Sequence, residues 1–431
     1  MTNYKPDIKE IGADYEMTWP DLKLKASVSH IHQNFRGILA EIDIHHDEWG
    51  ILRGGVELTL GSQSSQKELV ASIKRRTRDS PLEVDWDRIV EAIAIVTKRQ
   101  YRNASIDRLN LVHHMVDSKT TWCLFPFIQH DAINIIFGSP GSAKSYLALA
   151  LGLSVMTGEK LASFVPNCRH NILYLDWEDT ASVHGTRARR LIQGAGSDLS
   201  LKVDDIPYIR CYRGLSEITA DLQRVIAEDN IELLVIDSAV YAASGDPNTD
   251  DTVRSLTSAL RQLNCTSLII AHDTKDSKGI RGSKMWEAMA RNIFEVKLDS
   301  VPGTAEISVG VFHRKSSHSA KHPSIGYSIR FDNEADTTTF IRDASALTAS
   351  TEMAGELTTK ERIDSVLEEA MTKTQIIEAL KDMGLEVSPK TIENTLSRWG
   401  KKGDYVKITN GSGAPLWGKA RHESFPTLFP S

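Results

Sequence analysis

The feature that most constrains this chain is a glycine-bearing loop set between an apolar run and a helix-forming run. Residues 132–137 read Ala-Ile-Asn-Ile-Ile-Phe, and residues 145–151 read Ser-Tyr-Leu-Ala-Leu-Ala-Leu. The loop consists of Gly138, Ser139, Pro140, Gly141, Ser142, Ala143, Lys144 and Ser145. This order predicts a phosphate-binding loop, because backbone N–H groups and a helix N-terminus converge on an anion and the lysine reaches the outer phosphates.

The loop departs from the usual G-x-x-x-x-G-K-[ST] pattern at one position, because Ala143 stands where glycine is common. The Cβ of alanine resists a positive φ, so the loop either has ordinary dihedral angles there or carries strain. A plain Gly-Ser turn between a strand and a helix is the alternative structure. The position of the loop between strand and helix favours phosphate binding.

Length and composition indicate a globular protein of several domains. At roughly 100 to 200 residues per domain, a chain of 431 residues holds two to four, and we expect three. The apolar content of 41% and charged content of 25% are typical of soluble proteins. We see neither a signal peptide nor a membrane span, and we expect a cytoplasmic protein without membrane contact. A net charge of -6 argues against nucleic acid binding over the whole surface but permits local basic patches.

The four cysteines lie far apart and form no C-x-x-C pair. They are Cys123, Cys168, Cys211 and Cys265. Such spacing is more typical of reduced thiols than of a disulfide framework or a zinc site.

The pattern of apolar residues divides the chain into four segments. Residues 126–345 alternate between strands and helices, which predicts an α/β domain with a largely parallel sheet. Residues 1–125 predict an α+β accessory domain of unknown role. The stretch 346–359, rich in Ala, Ser, Thr and Glu, is typical of a linker, and residues 360–421 form a third domain.

Three apolar runs after the loop end in polar side chains. The first ends at Asp176, Trp177, Glu178 and Asp179, the second at Asp237, and the third at His272 and Asp273. Ligands bind at the carboxyl ends of parallel strands. One such acid could merely cap a turn, but three in series behind the loop indicate a nucleotide site.

The predicted ligands are ATP and Mg²⁺. Lys144 is placed to bridge the β- and γ-phosphates, and Ser145 to bind Mg²⁺ directly. Four apolar residues followed by Asp237 form a Walker B pattern, whose carboxylate holds the ion through water.

Glu178 is the predicted residue that orients the attacking water. Asp176 and Asp179 are the alternatives. In an extended strand Glu178 lies on the same side as Asp176 and opposite Asp179, and its longer side chain reaches farther from the strand end.

Together these motifs resemble the RecA-like ATPases, and among them the DnaB-type and plasmid RepA-type hexameric replicative helicases. The similarity is carried by residues 138–145, 175–179, 233–238 and 269–273, followed by Gly-Ile-Arg-Gly-Ser at 279–283. The resemblance implies a homohexameric ring in which Glu178 polarises the water and His272 senses the γ-phosphate.

The same resemblance implies two loops, 239–250 and 274–280, that line a central channel. Lys275, Lys278 and Arg281 would contact the phosphates of single-stranded DNA there.

Hexameric relatives complete the site with a basic residue from the neighbouring subunit. The candidate strand at 305–312 ends in His313, Arg314 and Lys315. Arg314 is the predicted finger because a planar guanidinium binds two oxygens, with Lys315 as the alternative. A solvated basic strand end that contacts no nucleotide is also possible.

The C-terminal segment resembles a winged helix, with three helices followed by a hairpin around residues 410–413. Ser388 and Pro389 begin the third helix as N-cap and first residue. Helical spacing turns Ile392, Leu396 and Trp399 toward a core.

The opposite face of that helix predicts contact with duplex DNA. It carries Thr391, Asn394, Arg398 and Lys401, and the hairpin adds Lys407. Residues 388–421 hold seven basic side chains against two acidic ones, which is typical of a nucleic-acid surface. A winged helix that only docks proteins is the alternative.

The function that these features favour is an ATP-hydrolysing DNA helicase or translocase that acts as a homo-oligomeric ring. Two alternatives remain open. One is a DNA-binding regulator that uses ATP as an assembly switch, and the other is a RecA-like recombination or KaiC-like signalling ATPase without unwinding.

Overall fold

The computed structural model describes residues 4–11, 14–34, 37–78, 83–104, 121–196, 203, 205–274, 279–409 and 414–420. The chain divides into two compact units. One contains Met1–Ser118, Arg213–Glu232 and Ser258–Asn264, and the other contains Lys119–Tyr212, Leu233–Thr257 and Cys265–Ser431.

In the described part of the first unit, five antiparallel strands form a sheet in sequential order. They are β1 (Asp7–Ile11), β2 (Asp14–Trp19), β3 (Leu24–Asn34), β4 (Gly37–His46) and β5 (Gly50–Thr59). Alternate side chains such as Met17, Ala26 and Ile42 are buried against α1 (Gln63–Arg76) and α2 (Trp86–Ala104). The predicted α+β pattern is observed here, although the sequence pattern did not predict β1 and β2.

The second unit contains a large mixed sheet, and a short hairpin precedes it. The hairpin is β6 (Trp122–Leu124) and β7 (Ile128–Gln129). The sheet strands, in chain order, are β8 (Ile133–Gly138), β9 (Ile172–Asp176), β10 (Tyr208–Arg210), β11 (Leu233–Asp237), β12 (Thr266–His272), β13 (Asn292–Ser300), β14 (Glu306–Ser316), β15 (Ile325–Asp332) and β16 (Thr337–Arg342).

The described strands of this sheet follow the order β10-β9-β11-β12-β8-β13-β14-β15-β16. Pairings from β10 to β13 are parallel, and those from β13 to β16 are antiparallel. Every residue of β9 and β11 is buried, as expected for central parallel strands covered on both faces. The predicted α/β class with a mostly parallel sheet is therefore confirmed.

The helices of the middle of the chain connect these strands. They are α3 (Lys144–Thr157), α4 (Ala181–Ala195), α5 (Thr219–Asp229), α6 (Ala239–Ala242), α7 (Asp250–Leu263) and α8 (Met285–Met289). Helix α3 is apolar and buried nearly all round, which identifies it as the central helix of this layer.

Helix α5 groups with the N-terminal sheet, although we predicted its residues to be part of the ATPase domain. The Arg224 side chain forms an ion pair with Asp14, and Asp221 lies 3.9 Å from His30. These side-chain contacts link α5 to β2 and β3 of the first unit.

The C-terminal part combines helices with a small antiparallel sheet. The elements are α9 (Thr351–Glu356), α10 (Thr359–Val366), β17 (Met371–Thr372), α11 (Lys373–Asp382), α12 (Pro389–Lys401), β18 (Tyr405–Ile408) and β19 (Leu416–Lys419). Among described residues the sheet order is β17-β19-β18. Ile363, Ile376, Leu380, Ile392 and Leu396 form the core.

The segment 346–359, predicted as a linker, contains α9. Ser350 caps this helix through its side chain, and Met353 and Leu357 are buried against Phe312 of the large sheet. The composition of this segment predicted a linker because small and polar residues surround the two apolar side chains. Among the described residues, none of the helices combines the length and the apolar character that crossing a membrane requires.

One buried histidine makes the stability of the second unit depend on pH. His313 stacks on Phe294, with ring centroids 4.2 Å apart. Its Nε2 lies 2.7 Å from Asn292 Oδ1, and its Nδ1 accepts the His322 N–H at 2.8 Å. Burial lowers the pKa of His313 to about 4.

We therefore expect the free energy of unfolding to fall as the pH drops from about 6.5 to about 4. In that interval the unfolded chain binds a proton at His313 that the folded chain excludes, so the contribution is complete above 6.5 and lost toward 4. The expected loss is about 1–3 kcal/mol. Denaturant titrations at several pH values should show a shallower pH dependence for His313→Gln. An unchanged slope in that variant would contradict the assignment.

Candidate functional site

The predicted phosphate-binding loop lies between β8 and α3. Gly138 ends the strand, and a Cβ at that position would lie 2.2 Å from the Val296 carbonyl oxygen, so only glycine fits. The Ser142 N–H donates to the Ser139 carbonyl at 3.2 Å and closes a turn. Gly141 has a φ of 78°, which glycine adopts without strain.

Ala143 has a φ of 65° and a ψ of 18°, the left-handed conformation. The sequence allowed either ordinary dihedral angles or a strained backbone at Ala143. The structure has the strained backbone. Such a conformation costs a non-glycine residue about 1–2 kcal/mol. The residue packs against the core of the second unit, so the surrounding structure holds the loop in place.

The Lys144 ammonium group lies at the mouth of the loop. It donates to the Gly138 carbonyl at 2.9 Å and the Ser139 carbonyl at 2.7 Å, and it lies 3.3 Å from Ser142 Oγ. Burial lowers the pKa of Lys144 to about 8, although Asp273 and Asp237 favour the charged form. Phosphate oxygens can replace the carbonyl acceptors there, because an ammonium group binds anions more strongly than neutral dipoles.

The two predicted Mg²⁺ ligands lie next to each other. The Ser145 hydroxyl hydrogen-bonds the Asp237 carboxylate, which also accepts the Tyr174 hydroxyl at 2.8 Å. Burial raises the pKa of Asp237 above its usual value. A hydroxyl and a carboxylate supply the oxygen ligands that Mg²⁺ prefers. A divalent cation would also offset the free-energy cost of burying the charged carboxylate.

Glu178 lies two residues beyond the end of β9 and contacts two other strand ends. Its Oε1 lies 3.3 Å from His272 Nε2 and accepts the Ser238 hydroxyl. The hydrogen bond from His272 is the main reason why the pKa of Glu178 is lower than usual, and burial opposes it. The carboxylate is therefore ionised at neutral pH and can accept a proton from water.

The two alternative acids are held by other partners. Asp176 is buried and accepts the Tyr208 hydroxyl at 2.7 Å, with His184 3.2 Å away. Burial opposes ionisation, but the hydrogen bond with His184 and others outweigh it and lower the pKa of Asp176. Asp179 forms an ion pair with Arg187 at 3.1 Å. These contacts favour Glu178 as the base.

A cavity of about 460 Å³ opens beside these groups. Ser139 and Pro140 of the loop line it together with Glu178, His272 and Arg281. The loop, the base and the proposed sensor therefore face one space that is large enough for a phosphate chain.

The segment after β12 turns back on itself. Asp273 and Ile280 form an antiparallel bridge, and the Arg281 N–H donates to the His272 carbonyl at 2.8 Å. Arg281 is exposed. Lys275 and Lys278 lie outside the described residues.

Arg314 lies on β14 in a network of carboxylates. Its Nε donates to Glu295 at 2.6 Å, and its terminal nitrogen donates to Glu356 of α9 at 2.5 Å. Lys315 donates to the Glu287 and Ala290 carbonyls. Both basic side chains are therefore paired within the second unit.

The predicted DNA-facing residues of α12 are exposed, as helical spacing requires. Ile392 and Leu396 are buried in the C-terminal core, and Ser388 caps the helix. The exposed set consists of Thr391, Asn394, Arg398 and Lys401, together with Lys407 of β18.

Residues 110–278 match the family model of an AAA domain, AAA_25. Residues 110–278 are therefore similar to the P-loop ATPase domains of the RecA-like, DnaB-type family. Such ATPases use a nucleotide and Mg²⁺ in general. The match ends before Arg281, Arg314 and the C-terminal helices. A comparison with curated proteins gave no match.

Two residues of the ATPase site, Ser238 and Tyr174, were missed from the sequence, and so was one hydrogen bond between residues that it had named. Ser238 contacts Glu178, Tyr174 contacts Asp237, and the Ser139 hydroxyl donates to Asp273 at 2.6 Å. The first two follow or lie within apolar runs, so only the pairing of parallel strands brings them to the carboxylates. Asp273 and Ser139 were both named from the sequence, but the hydrogen bond between them was not predicted.

We expect Ala143→Gly to leave nucleotide affinity nearly unchanged. The strained backbone is a property of the folded loop, so relieving it affects folding rather than binding. Glycine gains about 1–2 kcal/mol at this φ and loses about 0.5–1 kcal/mol of backbone entropy, for a net stabilisation of about 0–1.5 kcal/mol.

Titration with a fluorescent ATP analogue and thermal unfolding check both parts. Ala143→Val serves as the opposite control, because a β-branched residue is poorly tolerated at positive φ and should destabilise the domain. A tenfold gain in affinity for Ala143→Gly would mean that the alanine weakens nucleotide binding directly.

Proposed function

We propose that this protein is an ATP-driven motor that moves on or unwinds DNA as a homohexameric ring. The proposal is supported by the match of residues 110–278 to the AAA domain model, which suggests an ATPase of the replicative helicase type. Movement on DNA additionally requires a connection between the hydrolysis site and a DNA-contacting loop, and the site offers one.

The observation that carries this proposal is the contact between Glu178 and His272. The Glu178 carboxylate, which would orient the water, contacts the His272 ring. The His272 backbone carbonyl in turn accepts a hydrogen bond from the Arg281 N–H. Loss of the γ-phosphate would change the charge beside Glu178, and the histidine would pass that change to residues 274–281. Arg281 is exposed and suited to contact a DNA phosphate.

In hydrolysis, the residues of this chain position groups and neutralise charge. Mg²⁺, held by Ser145 and Asp237, would neutralise the β- and γ-phosphate oxygens. Lys144 stabilises the charge of the same oxygens, and Glu178 accepts the proton of the attacking water.

We further propose that Arg314 enters the active site of the neighbouring subunit. A finger in that position would first leave Glu295 and Glu356, whose carboxylates neutralise it. The exchange of two carboxylates for phosphate oxygens keeps the guanidinium paired, so its cost is limited.

For the C-terminal domain we propose a winged helix that binds duplex DNA. The support is the exposed row on α12, which ends in Arg398 and Lys401, and the basic strand residue Lys407. Long basic side chains on a helix and an adjacent strand suit the phosphates that flank a groove.

The motor proposal predicts that single-stranded DNA accelerates ATP hydrolysis about tenfold, a change of about 1.4 kcal/mol in the barrier. The protein should also displace a labelled strand from a forked duplex. Glu178→Gln should reduce hydrolysis about 10²-fold or more while nucleotide binding persists. Phosphate release and gel-based strand displacement measure these outcomes.

Asp179→Asn is the matched control, since it removes the neighbouring carboxylate and should retain most hydrolysis. Rings verified by mass that hydrolyse ATP at the same rate with and without DNA, and displace no strand, would point to an ATP-switched regulator or a signalling ATPase.

For the proposed winged helix, Arg398→Ala combined with Lys401→Ala should weaken duplex binding. Each lost phosphate contact removes about 0.9 from the slope of log K against log salt concentration, so the double variant should lose nearly 2. Fluorescence anisotropy at several salt concentrations measures both quantities.

Lys67→Ala combined with Arg75→Ala on α1 removes two exposed charges elsewhere and should leave the slope unchanged. Unaltered affinity and slope in the α12 variant would indicate a protein-docking domain.

A further inference from the structure

A cluster of cysteine and histidine side chains lies in the second unit, outside the ATPase site. The ligand atoms of Cys123, His130 and His170 all lie within 4.8 Å of one another, and two of these residues are buried. In the described part of the chain, this is the one group with the geometry for a metal ion. We propose that this cluster is a structural zinc site.

The backbone around the cluster fixes the positions of its members. The Asn167 N–H donates to the Cys123 carbonyl at 3.0 Å, and the His130 N–H donates to the Thr121 carbonyl at 2.9 Å. The His170 N–H donates to the Val155 carbonyl near the end of α3 at 3.1 Å. A hairpin and the segment after α3 are thereby held together before any metal binds, which lowers the cost of ordering the ligands.

A fourth donor stands beside the cluster. Cys168 Sγ lies 3.1 Å from His170 Nε2, and Cys168 is exposed at the rim. Cys168 is not a member of the mutually close triad, and rotation of its exposed side chain toward Cys123 and His130 would complete a set of two sulfurs and two imidazole nitrogens. Two thiolates and two imidazoles in tetrahedral geometry select Zn²⁺ over Mg²⁺ and Ca²⁺, which prefer oxygen.

The distances within the triad of Cys123, His130 and His170 require only small side-chain movement. A tetrahedral site with Zn–S of about 2.3 Å and Zn–N of about 2.0–2.1 Å has edges of about 3.3–3.8 Å. No two ligand atoms of the triad lie more than 4.8 Å apart, so side-chain movements of about 1 Å bring these three donors to tetrahedral distances.

His130 also has the outer partner that zinc-bound histidines usually have. Its Nδ1 lies 3.1 Å from the Asp131 carboxylate. A carboxylate at Nδ1 fixes the tautomer and leaves Nε2 to bind the metal, and it raises the basicity of that nitrogen. The acid next in sequence therefore serves the histidine rather than the metal.

The first test is the metal content of the full chain, purified without a histidine tag and passed over a chelating resin. We expect about one zinc per chain by mass spectrometry. Replacement of zinc by Co²⁺ should give the visible absorption of a tetrahedral thiolate site. A chain refolded with zinc that retains less than about a tenth of an equivalent overturns the proposal, and so does a disulfide between Cys123 and Cys168.

Variants assign the ligands. Cys123→Ser and His170→Gln should each lower the retained zinc at least tenfold, as loss of a ligand in a closed site does. Cys168→Ser should reduce the sulfur-to-cobalt absorption, which identifies the second thiolate. Cys265→Ser, a partly exposed cysteine outside the cluster, is the matched control and should keep the full equivalent.

The change in unfolding temperature on adding zinc is a second measurement. Each variant is compared with itself, so differences in stability between variants do not affect the result. Added zinc should raise the unfolding temperature in the wild type and in Cys265→Ser, because a ligand that binds the folded state stabilises it. Equal zinc content in the Cys123→Ser variant and the wild type would contradict the site.

Discussion

The contact on which the ATPase site depends is the one between the Glu178 carboxylate and the His272 ring. It exists because β9, β11 and β12 run parallel and in register, with Asp237 opposite Asp176 on one side and opposite Ile270 on the other. Parallel strands bring their carboxyl ends to a single edge, so polar residues just beyond each end converge. A shift of one residue in any strand would turn the polar groups to the other face.

The acids at this edge differ in their surroundings, and the difference supports the roles proposed for them. Asp176 is satisfied by Tyr208, His184 and the backbone N–H groups of the following turn, so it fixes the geometry of the strand end. Asp237 is buried with hydroxyl partners, which leaves its charge for a cation. Glu178 lines the cavity and has a lowered pKa. In the proposed mechanism, identical functional groups would thus serve as structural acceptor, metal ligand and base according to their burial and their hydrogen-bond donors.

The sequence predicted the strands and the carboxylates of the site because local signals determine both: apolar runs of strand length and polar residues at their ends. It missed contacts between distant segments. The pairing of Arg224 with Asp14, which groups α5 with the N-terminal sheet, has no local signature. Neither does the Cys123–His170 cluster, whose members have no motif spacing and meet only when a hairpin folds beside the end of α3. The linker prediction missed α9 because two buried side chains, Met353 and Leu357, determine its position.

Helix α3 explains how a strained residue persists at the phosphate-binding loop. The helix begins at Lys144, directly after Ala143, and its side chains are buried nearly to its end at Thr157. Near that end, the Val155 carbonyl accepts the His170 N–H. A helix enclosed by apolar neighbours and tied at its far end cannot tilt without opening the core, at about 25 cal/mol for each Å² of apolar surface exposed. That cost exceeds the 1–2 kcal/mol of a left-handed alanine once roughly 80 Å² is exposed, so packing rather than residue choice determines the loop conformation.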